Sequence, residues 1–176
     1  MRKGIRMKKR LFLLIASLFL LSGCSNSKSN ENNVNNPYEI AKGTYILSYY
    51  DTEDSIDMEG FKILKNEPSN VIGILNQSDN RIIVNNGTIR CIYIVDENII
   101  TYKGISVGDS VDKIENTFEH EYKLNDYYSV LFNNDKEEDP ANQNQEDAWI
   151  WITYFTDGSK ITSIQIYDVL YGSELK

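Results

Sequence analysis

Histidine and cysteine are nearly missing from this chain: one imidazole, His120, and two thiols, Cys24 and Cys91, in 176 residues. A single histidine excludes a multi-histidine metal centre and leaves one ordinary base for nucleophilic chemistry. Two cysteines allow one disulfide at most, so no disulfide framework holds the fold. No apolar run approaches the roughly 20 residues that cross a bilayer as a helix; the longest, residues 11–21 (LFLLIASLFLL), falls well short. Basic residues are also scarce, 18 against 26 acidic, for a net charge of −8. Six of the 18 (Arg2, Lys3, Arg6, Lys8, Lys9, Arg10) precede residue 11, so the chain from residue 24 keeps 12 basic against 26 acidic residues, a net −14. Such a surface repels nucleic acid and anionic headgroups, and no nucleic-acid partner is expected.

What is present begins with the order of those first residues. A basic stretch (1–10), a short apolar run (11–21) and a small-residue site form an export signal. The site, Leu21-Ser22-Gly23-Cys24, resembles the lipobox of bacterial lipoproteins. The resemblance implies a signal peptide over 1–23, cleavage between Gly23 and Cys24, and a covalent diacylglycerol lipid on Cys24, with no other cofactor. It places the protein on the extracytoplasmic face of the bacterial cell membrane, attached through lipid. Cys91 is then left without a partner, and its apolar strand-like surroundings make it a buried small hydrophobe. Residues 25–36 (SNSKSNENNVNN) cannot bury enough apolar surface to fold, so 24–37 reads as the lipidated cysteine plus a flexible tether. Residues 38–176 suit one domain.

Within that domain, strand-like and helix-like segments alternate. Residues 44–50 (TYILSYY) predict a strand, 51–59 an acidic loop, 60–64 an extended piece, and 66–75 a helix opened by Pro68. Residues 81–84 and 88–95 predict strands across the Asn86-Gly87 turn, a preferred type I′ pair, and 98–103 reads as extended. Asp109 predicts an N-cap, and Val111, Ile114 and Phe118 share one helical face. Residues 127–132 predict a strand, 133–147 a polar loop, 148–155 (AWIWITYF) a central strand, and 160–167 its hairpin mate across Asp157-Gly158. Gly60, Pro68, Val71, Leu75 and Asn86-Gly87 align with Gly104, Val111, Ile114, Phe118 and Asp157-Gly158, which suggests an internal duplication over 44–95 and 98–167. The expected fold class is α+β: an antiparallel sheet with short helices on one face, in two similar helix-hairpin halves.

Residues 104–118 (GISVGDSVDKIENTF) resemble the glycine, small-polar, helix opening of SmpA/OmlA-type envelope lipoproteins, and the repeat pattern is similar to the tandem β-lactamase-inhibitor-protein fold. The sequence departs from that pattern where Glu119-His120 replaces a glycine and no proline follows. The resemblance implies a small α+β scaffold in proteins that bind other proteins, and it brings no catalytic residues.

Three chemical readings are weak. Gly104-Ile105-Ser106-Val107-Gly108 matches G-x-S-x-G, but a nucleophile elbow needs a strand before the serine, a helix directly after it and a base from far along the chain. His120 stands one helix downstream instead. Its neighbours Glu119 and Glu121 point different ways on a helix, so they make no metal site. The acidic clusters at Asp51, Glu53, Asp54, Asp57 and Glu59, and at Asp135, Glu137, Glu138 and Asp139, lack calcium-loop spacing. No catalytic residue and no metal ligand is expected, and the protein is read as a non-enzyme.

The aromatic residues are more informative. Alternation along 148–155 puts Trp149, Trp151 and Phe155 on one face and Ile150, Ile152 and Tyr154 on the other. If one face is core, the other displays aromatics, a composition that binding surfaces favour. Trp149, Trp151, Tyr127 and Tyr128 are the candidate binding surface. The expected activity is binding an envelope protein partner, and the alternative is binding a wall glycan or small ligand by stacking on Trp149 or Trp151.

Overall fold

Strand pairing dominates the folded part of the chain. A computed structural model describes residues 34–56, 60–65, 79–133, 135–142 and 149–168, all within one unit, Asn32–Lys176. Its strands are β1 (Glu39–Lys42), β2 (Tyr45–Ser48), β3 (Phe61–Lys65), β4 (Asn80–Asn85), β5 (Thr88–Ile94), β6 (Tyr122–Leu124), β7 (Tyr127–Asn133), β8 (Lys136–Glu138), β9 (Ile150–Thr156) and β10 (Ile161–Asp168). The α-helix among the described residues is α1 (Val111–Glu115). β1 and β2 pair as a two-stranded sheet; the other eight form one sheet in the order β3-β4-β5-β10-β9-β7-β6, with β8 also on β7. β3 and β4 run parallel, and the remaining neighbours run antiparallel.

This corrects the α+β expectation. Strand pairing takes 52% of the described residues and helical turns 12%, in one mixed eight-stranded sheet and one small sheet, so the fold is mostly β rather than a pair of helix-hairpin halves. The physical reason is local. After Ile114 the chain needs only to bring Phe118 onto the core, and it leaves the helix within one turn: Asn116 is the C-cap, and the Phe118 N–H still reaches the Ile114 carbonyl. The N-cap is Ser110 rather than Asp109, its hydroxyl accepting from the Asp112 N–H at 3.3 Å. The helix expected over 66–75 lies outside the described residues.

The two glycine turns order the middle of the sheet. Asn86 and Gly87 both take positive φ (53° and 76°), as a type I′ turn requires, and set β4 against β5 from Asn85↔Thr88 inward. Asp157 closes the other turn, its Oδ1 accepting from the backbone N–H groups of Ser159 (2.9 Å) and Lys160 (2.8 Å). β5 and β10 then pair antiparallel at the centre, with Ile94 opposite Ile164 and Ile92 opposite Ile166.

One face of this sheet is core. Ile82, Ile92, Ile94, Ile152, Ile164 and Ile166 line it with essentially no exposure. Ile40 and Leu47 of the β1–β2 hairpin cover it, together with Ile99, Ile105 and Val107 of the loops and Ile114 and Phe118. An aromatic cluster closes one end, where the Phe118 ring meets Tyr102 (6.2 Å between centroids), Phe132 (6.2 Å) and Tyr154 (5.9 Å). Among the described residues the cover is therefore mainly a β-hairpin and loops, with α1 adding Ile114. Glu-Ile-Ala-Lys has little strand propensity, and pairing with β2 across Ile40↔Leu47 overrides it.

Tyr154 is fully buried and its hydroxyl makes no hydrogen bond among the described residues. The Thr101 hydroxyl nearby donates to the Ile105 carbonyl at 2.8 Å, and burial pushes the Tyr154 phenol well above its ordinary range. Tyr154→Phe is therefore expected to leave stability unchanged or raise it by up to about 1 kcal/mol. Chemical denaturation checks this, and a loss above about 1 kcal/mol would mean that the hydroxyl is satisfied by Thr101.

The last residues read as tether are packed on the domain. Val34, the one apolar residue of the run, is buried, and its carbonyl accepts from the Lys103 N–H at 2.9 Å. Asn36 caps the following turn, its Oδ1 accepting from the Tyr38 N–H. Residues 24–33 lie outside the described residues.

Candidate binding cleft

Because facing residues of paired strands share a face, the register fixes what the second side of the large sheet displays. Three rows cross β7, β9 and β10 there. Tyr127, Phe155 and Ser163 form the first, Ser129, Thr153 and Gln165 the second, and Leu131, Trp151 and Tyr167 the third. Tyr122 of β6 stands opposite Ser129 and extends the middle row. A polar row thus runs between two rows that carry aromatics.

This face carries an open cleft of about 280 Å³ lined by Tyr122, Tyr127, Ser129, Trp151, Thr153, Phe155, Gln165 and Tyr167. None of them is charged, in a chain of which a quarter is Asp, Glu, Lys or Arg. The floor is fixed by its own hydrogen bonds. The Ser129 and Thr153 hydroxyls lie 2.8 Å apart, and the Tyr167 hydroxyl is 3.5 Å from Thr153 Oγ1. Gln165 Nε2 donates to Cys91 Sγ at 3.3 Å, while its amide oxygen has no partner among the described residues. The Tyr127 and Phe155 rings touch along one wall, their centroids 6.1 Å apart.

The four residues expected to form a binding surface separate into three places. Tyr127 and Trp151 line the cleft. Tyr128 points to the opposite face, where it is buried in the core and its hydroxyl donates to Glu115 Oε1 at 2.8 Å. Trp149 precedes β9, is 5% exposed, and its indole N–H has no partner among the described residues. Its burial removes it from any stacking surface. Cys24 and Gly23 lie outside the described residues. Ser129, Thr153, Gln165 and Tyr122 were not anticipated as site residues, since neighbouring strands cannot be read from alternation alone.

Ser106 is not at a nucleophile elbow. It sits in a turn closed by Asp109, whose Oδ2 accepts from the Ser106 N–H at 2.8 Å and from Lys113 Nζ at 2.7 Å. Gly108 in that turn has φ of 88° and donates to the Ile161 carbonyl at 2.8 Å, which ties the loop to β10. His120 is exposed, held by its backbone N–H to Glu137 Oε1. Glu137 also accepts from the Glu119 N–H and lies in β8, a strand within the stretch expected as a loop, so it pins the chain after α1 to β8. Among the described residues no three His, Cys, Asp or Glu side chains converge on a metal-sized site. Cys91 is fully buried, and desolvation pushes its thiol up to about 12, the Gln165 hydrogen bond acting in the opposite direction.

Comparison of the chain with protein-family models, with curated proteins and with solved structures finds no match. The site must be interpreted from its own geometry.

Proposed function

We propose that this is a lipid-anchored protein of the bacterial envelope that binds rather than catalyses, with the face of its large sheet that is open among the described residues as the recognition surface. The cleft over Ser129, Thr153 and Gln165 carries this reading: it is concave, aromatic-walled and uncharged, with a few polar groups fixed on its floor, as small-ligand sites are. The lipobox-like Leu21-Ser22-Gly23-Cys24 supports the location. An envelope protein seated over the same face is the second reading, and the exposed Tyr122 (46%) and Leu124 (42%) at the sheet edge favour it.

Two measurements test the proposal. Cys24→Ala should abolish incorporation of a labelled fatty acid and release the protein from the membrane fraction; continued lipid labelling would remove the anchor. A photo-crosslinking residue at Tyr127 should capture an envelope component in intact cells, and the same probe at Ile46, on the hairpin covering the other face, should not. Equal capture at both positions would overturn the assignment of the face.

A further inference from the structure

We propose that the cleft binds an uncharged saccharide, one N-acetylhexosamine ring standing edge-on over the Ser129–Thr153–Gln165 row with its faces toward the aromatic walls. This rests on the cleft being the recognition surface and names the ligand class. A pyranose ring is apolar on its faces, where C–H bonds project, and polar round its rim. It therefore needs aromatic surface beside it and hydrogen-bonding groups at its edge, which is the order of rows found here. Tyr127 and Phe155 stand two residues from the polar row on one side, and Trp151 and Tyr167 two residues on the other. Phe155 and Trp151 lie four residues apart on one strand, or about 13 Å at 3.3 Å per residue, which admits a single ring between the walls.

The lining also selects the ligand's charge. With no cation on it, in a chain that keeps 12 basic against 26 acidic residues from residue 24 onward, the cleft has nothing to offset an anionic group. The free amide oxygen of Gln165 accepts a hydrogen bond from an acetamido N–H. The hydroxyls of Tyr122 and Tyr127 have no partner among the described residues and face rim hydroxyls as donors or acceptors.

The test titrates the mature, detergent-solubilised protein with chitotetraose by calorimetry and measures retention on intact peptidoglycan sacculi. Saturable chitotetraose binding is expected, weakened at least tenfold by Trp151→Ala and by Thr153→Val, and unchanged by Ile46→Ser on the far side. Thermal melts of the same samples show whether each variant is folded, and Thr153→Val, nearly isosteric, keeps the test decisive if Trp151→Ala unfolds. Retention on sacculi that chitotetraose competes away would identify the wall as the source; chitotetraose binding without retention would identify a free oligosaccharide. Absence of both, with an envelope protein crosslinked at Tyr127, would overturn the saccharide and leave the recognition face standing. Absence of both with no crosslink at Tyr127 would overturn the face itself.

Discussion

Trp149→Ala is expected to destabilise the protein by about 3–5 kcal/mol, the range for truncating a buried large aromatic. Trp149 is only 5% exposed, and alanine leaves a cavity at the start of β9. Trp151, two residues on and partly exposed in the cleft wall, should lose under about 1 kcal/mol when truncated, as surface positions usually do. Urea denaturation of both variants measures the contrast. Equal losses would put Trp151 in the core as well and remove the cleft's third row. Trp149→Phe gives a finer check: it removes the unpartnered indole N–H and should recover much of what alanine loses.

Phe118→Ala should cost a similar amount, about 3–5 kcal/mol. Its ring contacts Tyr102, Phe132 and Tyr154 at once, so one truncation opens the junction of the loop, β7 and β9. α1 contributes little on its own account, since a five-residue helix is far below the length that is stable in isolation. Substitutions on its exposed face, such as Asp112→Ala, should therefore stay within about 1 kcal/mol, the usual cost of losing polar groups at a helix start. Thermal unfolding monitored by circular dichroism separates the two. A loss at Asp112 as large as that at Phe118 would make the helix itself the stabilising element.

The turns were the most legible part of the sequence, because Asn86-Gly87 and Asp157-Gly158 need backbone conformations that few residues adopt. The faces of β9 were legible too: Ile150, Ile152 and Tyr154 are core, while Trp151 and Phe155 are not. β1 escaped notice since Glu39–Lys42 has helix-compatible composition and becomes a strand only through β2. The run 25–36 looked uniformly polar, yet a single valine was enough to dock its end. The polar row of the cleft was hidden for a topological reason. Ser129 and Thr153 are 24 residues apart in sequence, and nothing local states that β7 lies beside β9. Period-two alternation tells which residues of one strand share a face, not which strands are neighbours.

The position of β10 also governs how the chain can acquire its structure. It is the last described strand, yet it lies between β5 and β9, in the interior of the sheet. Until residues 161–168 are available, β4–β5 and β7–β9 are two fragments with apolar edges and no shared neighbour. Assembly therefore waits for residues 161–168 and proceeds through pairings distant in sequence, the slow class of folding reaction. The sheet cannot close while its central strand is still being synthesised, so both fragments stay open until β10 is made.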